Sequence, residues 1–109
     1  MRDYLVGKRC FGGLDLSTTT DLTAFTLLFP PQEGLDTWVV LFWAWRPEEG
    51  VLEAEQRDHV PYRDWTRAGF LELCPGDMVD FTMVEDAVAA AVDVFDLDTL
   101  GVDPTCPAR

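Results

Sequence analysis

An almost unbroken apolar run, Thr37 to Trp45, limits the folds open to this chain more than any other segment. The run consists mainly of tryptophan, valine, leucine and phenylalanine, which suits a strand covered on both faces better than one with a solvent-exposed face. If this strand lies at a sheet edge, its backbone pairing groups become a liability that another domain or a partner usually masks. The sequence therefore predicts a sheet with layers packed against it.

Chain breakers and polar turns divide the remaining sequence into short elements. An apolar stretch ends on Asp15, and after the polar turn Ser17 to Asp21 the apolar pattern resumes, which predicts a β-hairpin. Thr82 and Glu85 form a capping-box pattern at the start of an amphipathic helix. We predict strands at about 10–16, 22–29, 37–45 and 99–103 and helices at about 48–58, 61–68 and 83–95.

The order of these elements predicts an α/β fold built on one mixed sheet. Strands 1, 2 and 3 form an antiparallel meander, and a fourth strand reached through helices is most simply added parallel to the first by a right-handed crossover. The length of 109 residues allows a single domain. Asp15 and Asp103 then lie at the carboxyl ends of parallel neighbours, where α/β sheets usually place their sites.

Two carboxylates at neighbouring strand ends repel each other unless a hard cation lies between them. Mg²⁺ or Mn²⁺ fits such oxygen ligands best. A pair of these ions activates water and stabilises the leaving oxygen of a phosphodiester, so hydrolysis of DNA or RNA is within reach. From spacing alone, the alternative that Asp15 and Asp103 merely cap turns carries equal weight.

Charge and cysteine usage restrict the partners and the compartment. Eight basic and twenty acidic side chains give a net charge of -12, which opposes unaided binding to a phosphate backbone. A nucleic-acid role therefore needs metal at the carboxylates, or basic surface on another domain or a partner. Cys10, Cys74 and Cys106 form no CxxC pair, and no segment has the length of a membrane span, which predicts a soluble intracellular protein with reduced thiols.

Short motifs in a fixed order give the chain a family resemblance. Gly12-Gly13-Leu14-Asp15-Leu16-Ser17 and Thr20-Asp21-Leu22-Thr23-Ala24 resemble the first strand and hairpin of the nuclease domain in large terminase subunits of tailed phages. The resemblance continues, from about residue 10 to residue 104, through these segments: Val60-Pro61-Tyr62-Arg63-Asp64-Trp65, Ala68-Gly69, Pro75-Gly76 and Gly101-Val102-Asp103-Pro104.

The resemblance implies a ribonuclease-H-like fold and a site for two ions of Mg²⁺ or Mn²⁺. Asp15 matches the first-strand metal acid and Asp103 the acid that closes the fourth strand, while Asp21 occupies the hairpin acid position, where a turn role is favoured. The implied activity is endonucleolytic cleavage of double-stranded viral DNA during packaging, in the cytoplasm of a bacterial host. The implied partners are the terminase ATPase domain, the small subunit and the portal, with no membrane.

Two departures from the family pattern qualify this expectation. Nothing matches the Gly-Lys-Thr loop of the family's ATPase domain, and the family carries a third metal acid beyond the position of Asp103. Residues 1–109 are therefore expected to be a partial nuclease domain, inactive or weak alone.

Two rival functions remain open. Asp15-Leu16-Ser17-Thr18-Thr19 also resembles the phosphate-binding hairpin of sugar kinases and actin-like ATPases, which would bind ATP. The other rival is a noncatalytic packaging interaction module whose carboxylates are vestigial.

Overall fold

The computed structural model describes residues 3–16 and 22–103, which form one five-stranded mixed sheet with helices. The sheet has the strand order β4-β3-β2-β1-β5. None of the helices in these two ranges is long and apolar enough to cross a membrane. After a 3₁₀ turn at Asp3–Leu5, the elements are β1 Arg9–Asp15, β2 Thr23–Phe29, β3 Val39–Pro47, α1 Val51–Asp58, α2 Tyr62–Ala68, β4 Glu72–Cys74, α3 Phe81–Val94 and β5 Asp96–Asp103.

The predicted sheet topology is confirmed. Strands β1, β2 and β3 pair antiparallel in sequence order, and β5 returns through α3 to pair parallel with β1. The strand predicted as the fourth is the fifth in the chain, because β4 precedes it and pairs parallel with Trp45–Pro47. At three residues, β4 is too short to leave a periodic signal in the sequence.

The region after β3 corrects the predicted start of the first helix. The predicted helix begins at about residue 48, but Pro47 is the last residue of β3 and the next two residues bond to the segment around β4. Glu48 N donates to Cys74 O at 2.7 Å, and Glu49 N donates to Gly76 O at 3.0 Å. The helix therefore begins only at Val51, after Gly50 adopts a left-handed conformation with φ of 79°.

The main core lies between the sheet and α3. Phe25, Leu27 and Phe29 of β2 point to this side and are fully buried, because alternate residues of a strand share one face. Val84 and Ala91, two turns apart on one face of the helix, supply the buried contacts from α3. This packing fixes β2 at the centre of the sheet and holds its neighbours in register.

The cap of α3 differs from the predicted capping box. Asp80 is the N-cap, and its carboxylate accepts a hydrogen bond from Thr82 N at 2.9 Å. Thr82 therefore lies inside the first turn, because the extended backbone of Asp80 already places an oxygen over the exposed helical N–H groups.

The opposite face of the sheet is only partly covered. Helices α1 and α2 pack on the carboxyl end of β3, where Ala44 joins a second cluster with Ala54 and Tyr62. Toward the amino end of the same strand, Val40 and Phe42 are 53% and 52% exposed. The prediction that the whole 37–45 strand is covered on both faces is therefore wrong within the described residues, because these two helices reach only its end.

Two adjacent glycines of β1 offer a matched test of core packing. A Cβ at Gly12 would lie 2.9 Å from Leu100 Cδ1 and 3.2 Å from Leu97 Cδ1, whereas a Cβ at Gly13 meets nothing within 4 Å. Gly12→Ala should lower the free energy of unfolding by no more than about 1 kcal/mol, because the added methyl group meets the ends of two leucine side chains that can shift. Gly13→Ala should raise it by about 0.5–1 kcal/mol, since alanine loses less backbone entropy. Urea unfolding of both variants measures the difference, and equal effects would contradict this packing.

Candidate carboxylate site

Asp15 and Asp103 are the last residues of two neighbouring parallel strands and stand directly opposite each other in the β1–β5 register. Residues paired in this way project to the same face, and adjacent strands lie roughly 4.8 Å apart. Leu16 N donates to Asp103 O at 3.2 Å, so the ladder continues one residue beyond β1. The sequence prediction that the sheet brings these two acids together is confirmed at the level of the backbone register.

Small residues form a shallow depression beside the two carboxylates. Gly13 and Gly101 are also register partners, two residues before the acids, so their missing side chains leave the same face open. Ala24 and Thr26 of β2 complete the floor. The depression has a volume of about 540 Å³ and both aspartates are exposed at its rim, so a solvated ion or a phosphate can reach them.

The donor chemistry at this rim fits a hard divalent cation. Two carboxylates offer the oxygen ligands that Mg²⁺ and Mn²⁺ prefer, and their exposure leaves room for the water molecules that Mg²⁺ usually retains. Residues 3–16 and 22–103 contain no group of three or more histidine, cysteine or acidic side chains able to hold a metal. Asp21, the hairpin acid whose metal role is the less certain one, lies outside the described residues.

One buried charged residue at this end of the sheet was not predicted from the sequence. Arg46 is only 3% exposed, and it lies two residues beyond Ala44, which shares its register row with Ala24 and Asp15. By strand geometry its Cα is roughly 12 Å from that of Asp15, on the same face. The sequence did carry a signal, because Arg46 is the first basic residue after Arg9 and directly follows the apolar run.

Arg46 lies in the wall of a cleft of about 780 Å³ between β3 and α1. Its Nε donates to Pro47 O at 3.1 Å, and its guanidinium stacks 5.0 Å from the centre of the Tyr62 ring. Glu49, Glu53 and Asp77 also line the cleft. Arg46 therefore ties β3 to α2 by stacking and supplies positive charge beneath a largely acidic rim.

Helices α1 and α2 are joined through carboxylates. Tyr62 Oη donates to Asp58 Oδ2 at 2.7 Å, and Arg57 binds the same carboxylate through two nitrogens at 2.8 and 2.9 Å. The hydrogen bond from Arg57, followed by that from Tyr62, holds the pKa of Asp58 well below its usual range. Arg63 likewise lowers the pKa of Glu55 through a side-chain hydrogen bond.

These lowered pKa values predict a loss of stability in acid. A carboxyl group whose pKa is lower in the folded state than in the unfolded state stabilises the fold at pH values above its ordinary pKa of about 4. This stabilisation is lost as the pH falls toward and through the lower pKa of the folded state. Asp58→Asn should therefore reduce the drop in unfolding free energy between neutral pH and about pH 3. Urea unfolding at both pH values measures this. Asp64→Asn is the control, because Asp64 pairs with the exposed Arg67 on its own helix; an equal reduction in both variants would contradict the assignment.

Two of the tryptophans make packing contacts from β3. Trp45 is buried and its Nε1 donates to Glu72 Oε1 at 3.1 Å, while Trp43 stacks on Phe25 at 5.2 Å. Trp38 and Trp65 are exposed, at 61% and 39%. His59 is exposed and ends α1 in a left-handed conformation with φ of 57°.

The two described cysteines are free and buried. Burial, with the nearby Asp96 as a smaller cause, raises the pKa of the Cys10 thiol to about 11, and burial raises the pKa of Cys74. Both thiols are therefore protonated near neutral pH and take no part in the candidate site. Cys106 lies outside the described residues.

Comparison with known proteins places these observations in a family context. No protein-family model matches the chain. The chain is 33% identical over 96 residues to the terminase large subunit of Enterobacteria phage HK97, an alignment that covers 88% of this chain and 19% of that protein. A crystal structure of the large terminase of bacteriophage HK97 matches with a TM-score of 0.74 and 29% identity, covering 95% of this chain and 21% of the other.

The resemblance to terminase large subunits predicted from the sequence is thereby confirmed. The ribonuclease-H-like α/β fold is confirmed as well, because the structural match extends over nearly the whole chain. The chain spans about a fifth of the length of the relative it matches.

Proposed function

We propose, from its homology to a large terminase subunit, that this chain contributes the Asp15–Asp103 pair to a metal-dependent nuclease that cuts viral DNA during packaging. The observation that carries the proposal is the direct pairing of the two aspartates in the β1–β5 register, beside a floor of glycines. We further propose that it acts in the bacterial cytoplasm. Its proposed partners are the terminase ATPase domain, the terminase small subunit and the portal.

The carboxylates would act as ligands that collect and orient the metal. Mg²⁺ or Mn²⁺, when bound, supplies an electrophile for the phosphate and lowers the pKa of a coordinated water. Asp15 and Asp103 would hold the ion through carboxylates whose backbones are paired in neighbouring strands. The backbone bond from Leu16 N to Asp103 O restrains the end of β5, which keeps the second carboxylate beside the first.

The glycine floor would admit the phosphate backbone to this metal. Gly13 and Gly101 present no side chains on this face, and a Cβ placed on Gly13 would have no other atom within 4 Å. A phosphodiester could therefore approach the strand ends without displacing a side chain. The net charge of -12 opposes this approach, so metal at the carboxylates, or basic surface on another domain or a partner, would have to offset it.

A plasmid-nicking assay tests the proposed activity. Because a partial domain is expected to be weak, the chain at high concentration should convert supercoiled DNA to relaxed circles only slowly in the presence of Mn²⁺. Asp15→Asn or Asp103→Asn should lower this slow rate to that of DNA and Mn²⁺ without protein, because each removes a metal ligand. Asp98→Asn is the matched control: Asp98 lies on the same strand, outside the depression, and its Oδ1 accepts from Thr99 Oγ1. Nicking that survives both substitutions would contradict the proposal.

A further inference from the structure

Thr26 is the only side-chain hydrogen-bond donor that lines the depression beside Asp15 and Asp103, among the residues that the structure describes. The rest of the lining consists of the two carboxylates, which accept hydrogen bonds, and of glycine, alanine, leucine and valine. Because β1 and β2 are interior strands, their backbone N–H groups pair within the sheet. Thr26 is therefore the described side chain that can donate to an acceptor entering the depression.

The sheet places the Thr26 hydroxyl across Gly13 from the first aspartate. Thr26 is the register partner of Gly13, and Asp15 lies two residues further along β1. Diagonal neighbours of this kind on one face of a sheet are roughly 7–8 Å apart. The space over Gly13 is not filled by another side chain, since its Cβ position has no contact within 4 Å. A group of the size of a phosphate therefore fits between Asp15 and Thr26.

The packing of β2 holds Thr26 in place. Phe25 and Leu27, its neighbours in the strand, are fully buried on the α3 side, so Thr26 faces the open side of the sheet. Its β-branched side chain has few rotamers to lose on binding a ligand. Within residues 3–16 and 22–103, its hydroxyl takes part in no hydrogen bond. The donor is therefore fixed in position and available to a ligand.

We infer, resting on the proposed function, that Thr26 is a substrate-binding residue that donates a hydrogen bond to a nonbridging oxygen of the phosphodiester in the depression. The carboxylates can contact this phosphate only through an ion that they hold, because they lack donors of their own. The hydroxyl contacts the phosphate directly, and such a bond to a charged oxygen is stronger than one to a neutral acceptor. Thr26 thus orients the phosphodiester without being a metal ligand.

Dimethyl phosphate is the probe that tests this role. It is a phosphodiester with a single negative charge, so the acidic chain opposes its approach far less than that of DNA. Its phosphorus NMR linewidth is followed with the chain and Mn²⁺, against the same free Mn²⁺ without protein, because bound Mn²⁺ broadens the signal of a nearby phosphate. Thr26→Val keeps the shape of the side chain and removes the donor, so it should raise the Kd of dimethyl phosphate about tenfold. Thr26→Ser retains the hydroxyl and should stay within about threefold of the wild type.

Thr99→Val is the matched control for loss of a threonine hydroxyl. Thr99 lies on β5 outside the depression, where its Oγ1 donates to Asp98 Oδ1 at 2.8 Å. This variant should change the Kd of dimethyl phosphate by less than about twofold. Mn²⁺ binding, measured separately by electron paramagnetic resonance, should be the same in the wild type and in every threonine variant.

The pattern of failure distinguishes the role of Thr26 from the metal site itself. Equal dimethyl phosphate binding by the wild type and Thr26→Val would overturn the inference and leave the metal site intact. So would absence of dimethyl phosphate binding by a wild-type chain that holds Mn²⁺. Loss of Mn²⁺ binding in Thr26→Val would also overturn it, because the hydroxyl would then serve the ion. A folded wild-type chain that binds no Mn²⁺ would contradict the proposed function, and the inference with it.

Discussion

Replacing Phe25 by alanine is expected to lower the free energy of unfolding by about 3–5 kcal/mol. Phe25 is fully buried at the centre of β2, and its ring stacks on Trp43 at 5.2 Å. Truncation leaves a cavity between the sheet and α3 that the paired strands on either side prevent from collapsing. A small domain has only about 5–15 kcal/mol of total stability, so this loss is a large fraction of it. Urea unfolding followed by tryptophan fluorescence measures the change.

Phe42→Ala is the control for this prediction. Phe42 lies on the adjacent strand and is 52% exposed, so its truncation should change the free energy of unfolding by no more than about 0.5 kcal/mol. Equal losses in the two variants would contradict the division of the sheet into a face packed by α3 and a face left open.

The second large effect expected is stabilisation by Mn²⁺. An ion that binds only the folded chain raises the free energy of unfolding by about 2.7 kcal/mol at a concentration of about 100 times Kd. Asp15→Asn and Asp103→Asn should each remove this gain, because one carboxylate alone is a weak ligand. Thermal melting with and without Mn²⁺ measures the effect. Asp98→Asn should retain it, and a gain that persists without Asp15 or Asp103 would contradict the assignment of the site.

The sequence was sufficient to predict the topology of the sheet, for identifiable reasons. The runs that became β1, β2 and β3 are apolar and separated by strong breakers, and α3 has a clear helical period. The short strand β4 was not predictable, because three residues hold no period and its pairing with Trp45–Pro47 is nonlocal. The same pairing explains why Pro47 ends a strand although it precedes acids typical of a helix start.

The candidate site was predictable to the extent that it depends on strand ends. Asp15 and Asp103 each close an apolar run, and a parallel crossover was enough to predict that they meet. Arg46 was missed because its burial depends on the stacking of Tyr62 from α2, a contact between elements that no local pattern encodes. The exposure of Val40 and Phe42 was missed for a similar reason, since it depends on how far α1 and α2 extend over the sheet.

The most direct test of the carboxylate site is a Mn²⁺ titration followed by electron paramagnetic resonance, in which bound ion disappears from the six-line spectrum of aqueous Mn²⁺. The site predicts saturable binding by the wild-type chain and by Asp98→Asn, and loss of that binding in Asp15→Asn and in Asp103→Asn. Equal Mn²⁺ binding by all four proteins, or none by a folded wild-type chain, would contradict the claim that β1 and β5 bring two metal ligands together.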